Sequence, residues 1–183
     1  MDRQTRIALL VEHYRNPRHK GRLAEADARM PGGNPGCGDV VTIHIRTVPG
    51  EDRIDEVSFE GEGCTISQAA ASILVQRVNR KKLTFAELGE WTYESMIDLL
   101  GRDVVGSRPR CATLALGTLK AAVKRIEMDR RLRAAGRTDE EIRRLRDAIA
   151  AQAAGTGLVF GADAAAAAKT DPDGPRPEIP DPD

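Results

Sequence analysis

The sequence predicts an α+β domain, and three observations carry that expectation. Residues 40–48 and 54–60 alternate in polarity, are rich in β-branched side chains, and flank the turn sequence Pro49-Gly50-Glu51-Asp52. Segments of helical period lie on both sides of this hairpin, one before it and several after. Hydrophobic residues make up 40% of the 183-residue chain but aromatics only 3%, so aliphatic and alanine side chains must fill a single core.

Taken in order, Ile7, Leu10, Val11 and Tyr14 recur at helical spacing, predicting a helix over residues 3–15 that stops near Asn16-Pro17. Residues 17–36, rich in Pro, Gly and charge, read as a long loop. The hairpin follows. "GEGC" breaks its second strand, and 65–79, rich in small residues, reads as a helix. Thr84 and Glu87 have the spacing of a capping box, opening a short helix. Residues 93–100 give another short helix ended by Gly101, and 111–135 a long one.

Past residue 128 the character changes. Thr138 and Glu141 form a second capping-box signature, and Ile142, Leu145 and Ile149 give the helix they open a thin apolar stripe. The expected division is therefore a domain over 1–127, a helical extension over 128–155, and a low-complexity tail over 156–183. Residues 170–183 hold five acids, one arginine and frequent prolines, a composition expected to be disordered.

Formal net charge is zero, so the whole molecule offers no electrostatic reason to expect nucleic acid. The basic clusters Arg77/Arg80/Lys81/Lys82 and Arg130/Arg131/Arg133 lack interleaved aromatics that could stack bases. No apolar run approaches the roughly 18 residues of a membrane span, and the N-terminus lacks a signal-peptide core. The expectation is a cytoplasmic protein without membrane or nucleic-acid partners. His44 is expected on a solvated strand face, His13 on a helix surface, His19 in a loop, and Trp91 as a core anchor.

The chemistry concentrates at three cysteines. Cys37, Cys64 and Cys111 are 27 and 47 residues apart, with no C-x-x-C pair, so zinc-finger and thioredoxin-type motifs are absent. Cys37 stands between two glycines, with Asp39 two residues on. Cys64 follows Gly61-Glu62-Gly63, and Cys111 follows Arg108-Pro109-Arg110, each at the start of a predicted helix, where thiolate is favoured. Small neighbours let a bulky inorganic group approach the backbone. Three thiolates and the Asp39 carboxylate suit zinc or iron–sulfur chemistry.

Four stretches then resemble one family. "EHYRNPRHKG", "NPGCGDVV", "FEGEGCTISQAAASILV" and "RPRCATLALGTLKAAV", in this order, are similar to the U-type iron–sulfur cluster assembly scaffolds, the IscU, NifU N-terminal and SufU proteins. The similarity covers roughly residues 3–127. It implies an α+β fold in which helices pack a small antiparallel sheet and the cysteines gather at one end. It also implies that Cys37, Cys64 and Cys111 build the cluster, and that Asp39 ligates metal and governs release. Arg110, which cannot ligate metal, stands where the IscU branch has a histidine; the SufU branch has a basic residue there. The insertion usual in SufU proteins between the second and third cysteines is missing, as is an "LPPVK"-like chaperone-recognition segment ahead of Cys111.

The resemblance implies a scaffold that accepts sulfur from a cysteine desulfurase, assembles a transient [2Fe–2S] cluster and passes it to apo acceptor proteins. That is assembly and transfer rather than enzymatic turnover. The alternative is a zinc-dependent sulfurtransferase in which Cys111 accepts persulfide sulfur. A third reading is a structural zinc module.

Overall fold

The computed structural model describes residues 1–106 and 108–153; the acidic tail lies outside them. Helix α1 (Arg3–Arg15) is followed by strands β1 (Ala28–Asn34), β2 (Asp39–Thr47) and β3 (Ile54–Glu62). Helices α2 (Thr65–Lys81), α3 (Phe85–Gly89), α4 (Tyr93–Leu100), α5 (Arg102–Val105), α6 (Pro109–Ala134) and α7 (Asp139–Ala153) complete the chain. The strands form one antiparallel sheet in the order β1-β2-β3. Helices pack on it, giving the expected α+β architecture.

One face of the sheet is apolar because Val41, Ile43 and Ile45 of β2 alternate with polar neighbours and meet Val57 and Phe59 of β3. Against them pack Leu74 and Val75 of α2 and Leu116 and Leu119 of α6, all fully buried. Burying each such large side chain stabilises the fold by about 1.5–3 kcal/mol. Helix α2 is wedged among α1, β3 and α6, and its run Ala69-Ala70-Ala71-Ser72 is buried throughout. Small side chains there let three neighbours approach one helix at once. The predicted caps hold: Thr84 and Glu87 form a reciprocal capping box, and Thr138 and Glu141 bond each other in the same way.

The region expected to be a long loop, 17–36, contains β1. Pro31, Gly32 and Gly33 hide the strand by removing β-formers and a backbone donor. Proline is tolerated because β1 is the edge strand of this sheet, with β2 as its one partner among the described residues. Gly32 answers to packing: a Cβ there would collide with the Thr118 side chain of α6. The short helix α5, which the sequence reading lacked, turns the chain between α4 and α6.

Two histidines depart from expectation. His44 is only 1% exposed, and its Nε2 lies 2.9 Å from Glu60 Oε2. The chain after α1 closes over this region: Gly21 N–H donates to the Phe59 carbonyl, Ser58 Oγ donates to the Gly21 carbonyl, and Leu23 is buried. A strand face that would otherwise be wet is thereby covered. His13 is buried as well, with Nδ1 2.8 Å from Ser72 Oγ. Ser72 Oγ accepts the Arg18 backbone N–H, which leaves the hydroxyl proton for His13 Nδ1. Trp91 is partly buried and packs against the core as expected.

Beyond residue 127, α6 continues without a break to Ala134. Helix α7 then folds back along it: Arg133 pairs with Asp139, Ile142 is buried, and Arg146 reaches Asp129. No described helix is long and apolar enough to cross a membrane.

Candidate metal centre

The end of the sheet nearest residues 34–39 gathers the chemistry. Asn34 and Asp39 face each other across the β1–β2 hairpin, and the Cys37 N–H donates to the Asn34 carbonyl at 3.0 Å. That bond folds Pro35 and Gly36 into a tight turn, with Cys37 exposed at the tip. Gly38 returns the chain to β2 with φ +67°, in the left-handed region that glycine adopts at little cost. Asp39, the first residue of β2, is 1% exposed.

Cys64 is the N-cap residue of α2, immediately after β3. Its thiol makes no capping hydrogen bond. Asp39 does the capping instead: Oδ1 accepts the Cys64 backbone N–H at 2.8 Å and lies 3.1 Å from Ser67 Oγ. The Ser67 hydroxyl is also 3.1 Å from the Cys64 carbonyl. Gly63 makes this approach possible, since it runs at φ +155° and a Cβ there would collide with Asp39 Oδ1 and Ser67 Oγ.

Cys111 lies in the first turn of α6, behind Pro109 at the helix start, and is fully buried. Arg108 and Arg110 flank this turn with exposed side chains. The ligand atoms of Cys37, Asp39 and Cys111 all lie within 4.8 Å of one another. Cys64 Sγ falls outside that set; Cys64 joins the site through its N–H to Asp39. One thiol is thus exposed, one half-buried and one buried, the two extremes sharing a carboxylate.

Burial pushes the Cys111 thiol well above the usual cysteine range, and its contacts with Asp39 and Cys37 push it further. Burial thus opposes the thiolate that a helix start was expected to favour at Cys111. Removal from water and a neighbouring carboxylate outweigh the field of one helix end. A bound cation would supply the compensating charge, and a thiol coordinated to it would lose its proton outright. With Asp39 Oδ1 committed to α2, Oδ2 is the oxygen left to ligate. The donor set fits zinc or an iron–sulfur cluster: sulfur, sulfur and a single carboxylate oxygen, with Cys64 tied to Asp39 through its backbone N–H.

Sequence reasoning missed two residues here. Ser67 bridges Asp39 and the Cys64 carbonyl, and Asn34 places Nδ2 3.4 Å from Asp39 Oδ2 and 3.5 Å from Cys111 Sγ. Each sits three residues from a singled-out cysteine, which was the available signal.

The NifU-like N terminal domain family matches residues 7–132. The chain belongs to this family of U-type scaffolds. It is 33% identical over 115 residues to an iron–sulfur cluster assembly scaffold protein IscU of Aquifex aeolicus, covering 63% of this chain and 71% of that protein. It is 31% identical over 134 residues to the zinc-dependent sulfurtransferase SufU of Bacillus subtilis, covering 65% of this chain and 89% of that one. In fold it is similar to the crystal structure of a NifU-like protein (N-terminal) from Brucella abortus. That likeness has a TM-score of 0.55 at 22% identity, over 66% of this chain and 92% of the other.

Proposed function

We infer that the protein is an iron–sulfur cluster assembly scaffold, with a [2Fe–2S] cluster as its cargo, held by Cys37, Cys64 and Cys111 and completed by Asp39. The observation that carries this reading is the meeting of Cys37, Asp39 and Cys111 within 4.8 Å, from segments 74 residues apart in sequence. Likeness to a protein named as an IscU scaffold supports it.

Each residue has a task. Cys37, at the hairpin tip, is the thiol an incoming sulfur donor meets first. Its thiolate attacks the outer sulfur of a cysteine desulfurase persulfide, the S–S bond of the donor breaks, and the desulfurase thiolate leaves. Reduction of that sulfur to sulfide takes two electrons from an external reductant. Cys111, buried at the start of α6, anchors the inner side of the cargo. Asp39 is the hard oxygen among soft thiolates, the ligand through which the cluster departs to an apo acceptor.

The second reading is a zinc-dependent sulfurtransferase in which Cys111 accepts the persulfide sulfur. Three sulfurs and one oxygen make a closed tetrahedral zinc set, and Arg110 stands exposed where the IscU branch has a histidine. Likeness to the Bacillus subtilis sulfurtransferase points the same way.

The test is anaerobic incubation with desulfurase, cysteine, ferrous iron and reductant, followed by iron, sulfide and zinc analysis. A scaffold acquires iron and sulfide in equal amounts and passes both to an apo acceptor. A protein that keeps zinc, gains persulfide and takes up no iron belongs to the second reading.

A further inference from the structure

Asn34 ends β1, pairs with Asp39 across the hairpin and is 6% exposed. Its Nδ2 is 3.4 Å from Asp39 Oδ2 and 3.5 Å from Cys111 Sγ. An amide nitrogen carries two hydrogens, so one can be directed at each acceptor. Asp39 Oδ1 is already engaged by the Cys64 N–H and by Ser67, which leaves Asn34 as the partner of the other oxygen.

We propose that Asn34 is a positioning residue of the metal site: its amide bridges the Asp39 carboxylate and the Cys111 sulfur, sets the direction of Oδ2, and withdraws charge from the coordinating thiolate. This rests on the metal-site reading above. A carboxylate and a thiolate buried side by side repel, and a neutral donor with two hydrogens offsets that repulsion. A lysine would do the same but would bring a positive charge that competes with the metal. Backbone geometry adds to the fit, since the Asn34 carbonyl holds the Cys37 N–H and one residue thereby contacts three of the site's members. Partners of this outer kind change metal affinity 10–100-fold when removed, and hydrogen bonds to ligating sulfur tune the electronic state of the metal.

The experiment loads the full-length protein with Co²⁺ under anaerobic conditions and compares it with Asn34→Leu and Asn34→Ser. Leucine has the branching and heavy-atom count of asparagine without a donor; serine retains one donor. Loss of the hydrogen bond raises the energy of the filled sulfur orbitals, so the thiolate-to-cobalt charge-transfer band moves to longer wavelength in Asn34→Leu. The ligand-field bands keep a tetrahedral pattern, zinc competition shows affinity about 10–100-fold weaker, and Asn34→Ser falls between. Unchanged spectra and affinity in both variants overturn the proposal. So does weaker affinity with an unmoved charge-transfer band, which marks a merely structural residue; Asn34→Ser supplies that reading if Asn34→Leu does not fold. A parent protein with no charge-transfer band overturns the metal-site reading itself, whereas a parent band that neither variant moves overturns the role of Asn34 alone.

Discussion

Asp39 Oδ1 accepts the Cys64 backbone N–H at 2.8 Å, so the first residue of β2 closes the first turn of α2. The same carboxylate serves the fold through one oxygen and turns the other toward Asn34 in the candidate metal centre. Structure and chemistry at this residue are separable by substitution.

Asp39→Asn keeps an oxygen that can accept from Cys64 and Ser67, but removes the charge. Asp39→Ala removes both functions. Stability should fall by about 1–2 kcal/mol in Asp39→Ala and by less in Asp39→Asn, as measured by denaturant unfolding. For a scaffold, both variants should hold a brown cluster longer and transfer it more slowly. If zinc is the working metal, both should instead lose zinc affinity and sulfur acceptance.

Acidification should destabilise the protein through its two buried histidines. Burial lowers the His44 pKa from 6.5, only partly offset by Glu60, while Arg29 and Arg22 lower it further. Burial is also the main cause for His13, with Arg18 and Arg80 lowering and Glu12 raising its pKa. A folded pKa below the unfolded value means that the unfolded chain binds the extra proton first. The stability these neutral histidines contribute is present above pH 6.5 and declines as pH falls from there toward the folded values. Melting temperature between pH 8 and pH 5 should drop more in the parent than in His44→Gln; equal slopes would contradict this account.

How much of this could be read beforehand depends on what each signal is local to. Cys37, Asp39 and Cys111, which meet within 4.8 Å, were singled out from glycine flanks and helix starts that are neighbours in sequence, as was Cys64, whose Sγ falls outside that set. So were the capping boxes at Thr84 and Thr138, whose partners lie three residues away. Strand β1 was not, because Pro31 and Gly32 are strand breakers whose tolerance comes from a free edge and from Thr118, 86 residues on. His44 was misread for a related reason: alternation assigns it to the outer face, and only the covering segment around Gly21 and Leu23 makes that face dry. Asn34 and Ser67 acquire meaning only once the hairpin and the β3–α2 junction meet at Asp39.

Truncation after residue 135 should leave metal binding close to that of the full chain, since none of the four proposed ligands lies beyond Cys111. Stability should fall modestly, because buried Asp129 loses Arg146 and the buried Ile142 side chain is removed. Zinc competition and thermal melts on the two chains check both halves. A large loss of affinity would make the extension part of the site.

The central claim is that three cysteines and Asp39 form one centre, with Cys64 Sγ drawn in when metal binds. X-ray absorption at the zinc edge of the zinc-loaded protein tests this most directly, alongside Cys64→Ser. The account predicts three sulfur ligands at about 2.3 Å and one oxygen at about 2.0–2.2 Å, falling to two sulfurs in Cys64→Ser. Two sulfurs in the parent, unchanged in Cys64→Ser, would contradict it.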